Sequence, residues 1–543
     1  MTVSVPVLHD YSPTMPNLLA DAVRRFGDTE YVVTPTHRMT FSELDRRSRI
    51  LARRLVAAGV SKGTRIGVLF PQNGDWITAF MGITRVGAVA VTLSTFAKPP
   101  ELRKLFRHSD LHLLLVPNQI LGSDEAVRLE TALPELAGQP DGRIRIKAAP
   151  HLRSIWMVGG SDRSWAHSID FDDETEASGE MVDDDFVAEI ESEVHPGDHL
   201  VVIYTSGTSA EPKGVIHTHG AWVRHGENLR RSGVFTKGRI LQQMPFFWIG
   251  GGCMAMMATL HSGATMVCQE RFEAGGALKL IEQEKVTQVA GWATVLRGVL
   301  EHPDREKYDL STCSLFPKPG EPFDTRPKHN SLGMTETCGP HSNAMGHQDE
   351  PIPEEWRGSF GWVLPGIDRR IKDPVTNEDL PTGVEGEVCI RGYSLCVGMV
   401  KRERHEIYDE NGFYHTGDKG FENEAGVLIF NGRLSEMIKT KGNNVAPAEV
   451  EALLMSYPGV KFAFVMGLDL PDGDQEVGCV LIPNEGAELD PHAIRAWGRE
   501  QVASYKVPKK YLILPYEEMA WLANEKPDKR AITPKVAAQE GIN

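Results

Sequence analysis

From Thr40 to Val116 the chain alternates helix-like and strand-like segments three times, and that alternation confines it to folds built on a parallel sheet. Thr40 to Gly59 carries apolar residues at helical spacing (Leu44, Ile50, Leu51, Leu55 and Val56) and stops at Gly59, after which Arg65 to Phe70 reads as a short buried strand. Trp76 to Val86 with Ala88 to Leu93, and Glu101 to His108 with Leu111 to Val116, repeat the pair. Parallel neighbours need a crossover, which a helix supplies, so a doubly wound α/β sheet is expected. At 543 residues the chain also exceeds the roughly 250–300 at which a single core stops growing, so it should hold at least two domains.

Asp170 to Glu193 is acidic and keeps no steady period, which predicts a solvated surface loop. Beyond Arg433, Pro447 to Leu454 and Asp490 to Val502 read as helices, and Ala463 to Gly467 and Val477 to Ile482 as strands; about 110 residues there suffice for a small α+β domain. A net charge of −16 lacks the basic field that a polyanion needs, so no nucleic-acid partner is expected. No apolar run approaches the roughly 20 residues that span a bilayer, and Met1 to Pro16 lacks a basic flank followed by an apolar stretch. Neither stable membrane insertion nor a secretory signal is expected. Seven cysteines, odd in number and without a C-x-x-C pair, argue against a disulfide framework or a zinc site and for a reducing, cytoplasmic setting.

Chemistry first shows at His199 to Tyr204, an apolar strand that runs into Thr205-Ser-Gly-Thr-Ser-Ala-Glu-Pro-Lys213-Gly214. Backbone N–H groups of such a loop, with the hydroxyls of Thr205, Ser206, Thr208 and Ser209, can wrap phosphate oxygens; Gly207 lets the backbone come close, and Lys213 adds a cation. The spacing is not that of a Walker loop, because the lysine precedes the glycine and no hydroxyl follows. It resembles instead the phosphate-binding signature T-S-G-T-T-G-x-P-K-G of the adenylate-forming superfamily, which includes acyl-CoA synthetases, peptide-synthetase adenylation domains and luciferases. Ser209 stands here for the second threonine and Ala210 for the glycine.

Further segments follow in that family's order, and the resemblance implies their roles. Gly333-Met334-Thr335-Glu336-Thr337 is similar to the family's G-x-T-E, where Thr335 would meet the α-phosphate and Glu336 would hold Mg²⁺, an ion that takes carboxylates beside substrate phosphates. Tyr414-His-Thr-Gly-Asp418 resembles Y-x-T-G-D, with Asp418 accepting from the ribose hydroxyls, Arg433 near ribose and phosphate, and Phe430 packing on the nucleoside. Ser435 stands at the hinge position. The resemblance therefore implies a large domain over 1–434, of doubly wound sheets plus a small β-barrel-like subdomain, and a small mobile α+β domain over 435–543. Ile438 to Pro447 looks like the loop that enters the site for thioester formation, with Gly442, between Lys441 and Asn443, allowing close passage of the pantetheine arm; Lys439 and Asn444 match positions used in the adenylation pose. Asn524 to Arg530 resembles a closing segment that puts the catalytic lysine at Lys526, with Lys529 as second candidate and Glu525 where a glycine is usual.

Leu332 stands where the family often stacks an aromatic residue on adenine, and Gly320, Glu321 and Pro322 belong to an adenine loop shorter than usual. Met244 to Gly252 corresponds to the segment lining the acyl pocket, with Trp248 in place of a common histidine. It contains no aspartate to pair a substrate ammonium, which disfavours an amino acid. Trp248, Trp292 and the small Gly250, Gly251 and Gly252 suggest a hydrophobic acid, aliphatic, alicyclic or aryl. The enzyme so implied is an AMP-forming acid:CoA ligase using ATP, Mg²⁺ and coenzyme A on a small-molecule carboxylic acid, with Thr205, Glu336 and Lys526 as catalytic residues and homo-oligomerisation left open. The alternatives are an adenylating enzyme with a carrier-protein thiol or no acceptor, a luciferase-like oxygenase, and a catalytically silent nucleotide-binding module.

Overall fold

The computed structural model describes residues 9–140, 143–174, 182–205, 212–233, 235, 238–291, 293–316, 330–343, 353, 356, 358–440, 443–445, 447–470, 475–502, 504–522 and 526–542, with backbone alone at Ala293, Thr294, Arg297, Ser435, Lys439, Asn443 and Asn444. The chain divides into two compact units, one of residues 1–368 with 390–414 and one of 369–389 with 415–543. The boundary expected at Ser435 lies inside the second unit.

In the first unit the α/β alternation is realised as an eight-stranded sheet in the order Gly398–Met399, Lys213–Thr218, His199–Thr205, Val89–Thr92, Arg65–Val68, Leu113–Pro117, Ser154–Val158 and Ala166–Ile169. From His199–Thr205 to Ala166–Ile169 every neighbour is parallel, while Lys213–Thr218 runs antiparallel to His199–Thr205. Helices Gly74–Arg85 and Pro99–His108 are crossovers between its parallel strands, and helix Phe41–Ala57 leads into Arg65–Val68. Their starts are fixed locally: the Thr40 side chain accepts from Glu43 N–H and the Glu43 side chain from Thr40 N–H, and Asn73 accepts from Asp75 and Trp76 N–H. Trp76, Phe80 and Trp222 stack in sequence in the fully buried core on one face of this sheet. A second sheet of five strands is built from Gln288–Ala290, Arg239–Gln242, Thr265–Cys268, Glu30–Val33 and Arg38–Thr40.

The acidic stretch does not stay a loop. Asp184–Ser192 is a helix, capped by the Asp183 carboxylate on Phe186 N–H and seated through buried Val187. Acidic residues at a helix N-terminus favour the helix through its dipole, and Glu191 and Asp184 find arginine partners in Arg85 and Arg53. Asp183, Asp184 and Glu191, taken as a solvation signal, are thus helix-start and ion-pair residues.

The second unit contains a sheet ordered Ile367–Lys372, Gly386–Gly392, Tyr414–Glu422 and Leu428–Arg433, then a hairpin, Ile438–Thr440 with Asn443–Val445. Beyond these, Val460–Asp469, Gln475–Pro483 and Lys510–Ile513 form a three-stranded sheet packed by helices Pro447–Met455, Pro491–Gln501 and Lys529–Ala537. Among the described residues no helix is long and apolar enough to cross a membrane, and all seven cysteines are buried free thiols.

Candidate active site

The loop read as phosphate-binding starts and ends at one place, because Thr205 and Lys213 are register partners across the antiparallel ladder. Its strand lies beside Val89–Thr92 and ends at the C-terminal side of the parallel sheet, the side on which open α/β sheets bind ligands. Gly214, next to Lys213, is a close approach: a Cβ there would come within 2.9 Å of Val400 and 3.0 Å of the Tyr204 ring. That ring is fastened by a 2.9 Å hydrogen bond between Tyr204 Oη and His108 Nδ1. Ser206, Gly207, Thr208 and Ser209 lie outside the described residues, as do Gly320, Glu321, Pro322, Trp292, Lys441, Gly442 and Glu525.

Strands Ser331–Met334 and Gly339–Asn343 form a hairpin closed by one tight helical turn, Thr335–Thr337. Half-buried Leu332 pairs with Ser342 in this ladder, and Met334 with Gly339. Gly333 is required by packing, since a Cβ would lie 2.1 Å from Gly339 O. The turn is held from inside by Thr337 Oγ1, which accepts from Met334 N–H at 3.1 Å and donates to Gly339 O at 2.7 Å. From outside, His217 Nε2 lies 2.7 Å from Thr335 O, and Cys396 N–H donates to Glu336 O at 2.8 Å. The side chains of Thr335 and Glu336 are half-buried and, among the described residues, make no hydrogen bond or ion pair. An oxygen-only donor left open in this way suits a hard divalent cation.

In the acyl-site segment, Trp248 N–H donates to Pro245 O at 3.1 Å and the chain then enters a widely wound π-type helix, Gly250–Met257. The glycines permit that entry: a Cβ at Gly251 would lie 2.3 Å from Pro245 O, and one at Gly252 2.8 Å from Phe246 O. Gly250 packs on the Met244 side chain. Half-buried Trp248 forms an aromatic cluster with buried Phe247 and with Phe96, which is 45% exposed. Thr92 Oγ1 donates to Phe247 O at 3.0 Å, so the cluster is anchored to the strand next to the one ending at Thr205.

In the second unit Asp418 and Arg433 are register partners, with Arg433 Nε 2.8 Å from Asp418 Oδ1. Phe430, half-buried, pairs with Gly420 on the same two strands. Sequence reasoning missed Glu387, which shapes the Asp418 turn: its Oε1 accepts from Gly417 N–H at 2.9 Å and its Oε2 lies 2.7 Å from His415 Nδ1. Thr416 Oγ1 donates to Val388 O at 2.7 Å and accepts from Asp418 N–H at 3.0 Å. The only sequence signal was a glutamate flanked by glycine at the start of a strand, too common to single out.

Lys439 and Asn444 are register partners in the hairpin after Ser435, and Asn443 pairs with Thr440. Lys526 is exposed; its carbonyl accepts from Leu522 N–H at 2.8 Å, and it stands just before the helix capped by Asp528. Lys529, the second candidate, has its Nζ 3.2 Å from Glu436 Oε2.

Within the first unit, then, the structure places the loop ends Thr205 and Lys213 on one strand pair and ties the Thr335–Glu336 turn to that same pair through His217. Within the second it places Asp418, Phe430 and Arg433 on one ladder. In the first unit, paired loop ends beside an open carboxylate are groups that can meet phosphate and a cation; in the second, by itself, a buried carboxylate facing an arginine is a hydrogen-bond acceptor for hydroxyls.

Known proteins resemble the chain over most of its length. Residues 19–399 match the model of the AMP-binding enzyme family and residues 449–518 that of the AMP-binding enzyme C-terminal domain. The chain is 28% identical over 493 residues to 4-coumarate-CoA ligase CCL1 of Humulus lupulus, spanning 86% of this chain and 84% of that one. It is 28% identical over 517 residues to a methyl-dioxo-octahydro-indenyl-propanoyl:CoA ligase of Mycobacterium tuberculosis, spanning 91% and 94%. The crystal structure of the anthranilate CoA ligase AuaEII in complex with anthranoyl-AMP has the same fold, with a TM-score of 0.77 at 21% identity over 97% of this chain and 98% of the other.

Proposed function

The chain belongs to the AMP-binding enzyme family, and from that premise we propose that it joins a hydrophobic carboxylic acid to coenzyme A by way of an acyl-adenylate. Its class is the acid-thiol ligases, the class of its named relatives, with ATP and coenzyme A as co-substrates. The observation that carries the reading is the pairing of Thr205 with Lys213, which closes a loop of hydroxyls and glycine at the end of a parallel-sheet strand.

In the first half-reaction a carboxylate oxygen of the acid bonds to the α-phosphorus of ATP as the bond to pyrophosphate breaks. Thr205, Ser206, Gly207, Thr208, Ser209 and Lys213 bind the phosphates, Thr335 meets the α-phosphate, and Lys526 offsets negative charge as it develops. Mg²⁺, when bound, supplies further neutralising charge, and the open carboxylate of Glu336 is the group to hold it. Asp418 accepts from the ribose hydroxyls beside Arg433, Phe430 packs on the nucleoside, and Leu332 and Met334 with Gly320, Glu321 and Pro322 border adenine. In the second half-reaction the coenzyme A sulfur attacks the acyl carbon and AMP leaves; Lys441, Gly442 and Asn443 pass the pantetheine arm, and Ser435 serves as hinge between a domain of 1–434 and one of 435–543.

A hydrophobic acid is supported by the Phe96–Phe247–Trp248 cluster and by the lack of any carboxylate from Met244 to Met257. The ring-bearing acids in the relatives' names point the same way. In this reading the enzyme works in the cytoplasm. The test is AMP release measured with and without coenzyme A over a panel of fatty, alicyclic, aromatic and steroid acids. Release that requires both coenzyme A and an apolar acid supports the reading; release indifferent to coenzyme A points to another acceptor, and none with any acid overturns it.

A further inference from the structure

His217 lies on strand Lys213–Thr218, which leaves the phosphate loop, and the two-residue period of a strand puts Lys213, Val215 and His217 on one face. The imidazole is fully buried and reaches the Thr335 carbonyl, 118 residues away in sequence, at 2.7 Å. A carbonyl only accepts, so Nε2 carries the proton and Nδ1 is a bare lone pair; among the described residues it has no partner. Burial pushes the ring down to about 4, which keeps it a neutral donor.

Such a group is costly where it sits. A buried nitrogen without a partner costs about 1–3 kcal/mol, and an apolar side chain would fill the same place without that penalty. Nor does the carbonyl need it, because Thr335 O also accepts from Cys338 N–H at 3.1 Å. What the hydrogen bond does supply is a fixed relation between the strand carrying Lys213 and the turn carrying Thr335 and Glu336, whose next carbonyl is tied to Cys396 N–H. We propose that His217 is a positioning residue for Mg·ATP: by holding the Thr335 carbonyl it orients Thr335 and Glu336 relative to the strand pair of Thr205 and Lys213 before nucleotide arrives. The inference rests on the ligase reading.

The test compares wild type with His217→Leu, which keeps bulk and removes the donor, and His217→Gln, whose amide restores one. Three quantities are measured: the melting temperature, the Mg·ATP dissociation constant by calorimetry without acid, and acid-dependent ATP–pyrophosphate exchange. Loss of a group that orients a metal ligand is expected to weaken Mg·ATP binding about 10-fold and to slow exchange about 10- to 100-fold, with KM for the acid unchanged. The glutamine variant should recover most of both. A leucine variant that binds Mg·ATP like wild type, or a glutamine variant no better than leucine, reduces His217 to packing and overturns the proposal. If the leucine variant does not fold, His217→Met replaces it. Wild-type protein that binds Mg·ATP without exchange sinks the ligase reading, and the binding comparison still decides the role of His217.

Discussion

Arg433 Nε lies 2.8 Å from Asp418 Oδ1 on adjacent strands, the carboxylate side chain 1% exposed and the arginine 46%. The pair is therefore lopsided: the acid is desolvated and depends on its neighbours, while the guanidinium is wet. Arg433→Ala should destabilise the protein by about 1–3 kcal/mol in chemical denaturation, below the cost of breaking a fully buried pair because solvent screens the exposed partner. Asp418→Asn, which leaves no buried charge, should cost little stability yet raise KM for ATP about 10-fold, the size of one lost charge-assisted hydrogen bond. Equal KM values for ATP in wild type and Asp418→Asn would remove Asp418 from the ribose.

Lys526→Ala should abolish acyl-adenylate formation, read as pyrophosphate exchange, while leaving thioester formation from supplied acyl-adenylate within a few-fold of wild type. Lys529→Ala should spare both steps, since Lys529 Nζ is 3.2 Å from Glu436 and its loss removes a surface ion pair worth about 0–1 kcal/mol. If adenylation survives in Lys526→Ala and only thioester formation falls, the lysine has been given the wrong half-reaction.

Gly333→Ala should damage nucleotide binding through the backbone. The added methyl would meet Gly339 O at 2.1 Å and Pro340 Cα at 2.5 Å, both backbone atoms of the paired strand, so the hairpin must part. A loss of about 2 kcal/mol or more is expected, with ATP affinity falling alongside it. Gly358→Ala, where a Cβ meets nothing within 4 Å, is the control for a glycine whose replacement strains only its own positive φ. Unchanged melting and ATP affinity in Gly333→Ala would show that the hairpin yields at no cost.

What the sequence made legible was local. Helix period, the Gly59 stop and strand runs gave the α/β order from Phe41 to Pro117 to within a few residues, because these signals lie within their own segments. The same local logic misjudged the Asp184–Ser192 part of the acidic stretch, where charge was weighed as solvation although Asp183 caps a helix and Glu191 pairs with Arg85, 106 residues away. His217 and Glu387 were invisible for a related reason: each acts on a backbone group, Thr335 O and Gly417 N, which lies 118 and 30 residues off and leaves no side-chain pattern to recognise. Motifs disclose the atoms that would touch a ligand; the groups that hold those atoms still are disclosed by the fold.

Acid should unfold the first unit in a defined window. Burial pushes His219 and His225 down to about 3 and His261 to about 4, from an ordinary value of 6.5. A histidine depressed in the folded state binds its proton more readily when unfolded, so its stabilising contribution is complete above pH 6.5 and shrinks as pH falls below it. At pH 5 each has lost about 2 kcal/mol, 1.5 pH units at 1.36 kcal/mol per unit. The loss at His261 levels off near pH 4, about a unit before that at the other two, since protonation there gains Glu227, whose carboxylate oxygen is 3.7 Å from its Nδ1 and which Arg230 and Arg231 hold ionised, down to about 2, against the opposing effect of burial. Melting temperature should therefore be flat from pH 8 to 7 and fall steeply from 6.5 to 5, before most carboxylates titrate. His219→Gln keeps an acceptor for the Met15 N–H, which now bonds His219 Nδ1 at 3.2 Å, and should flatten that slope in part. A melting temperature level down to pH 5 would mean that these rings are hydrated or already charged in the native protein.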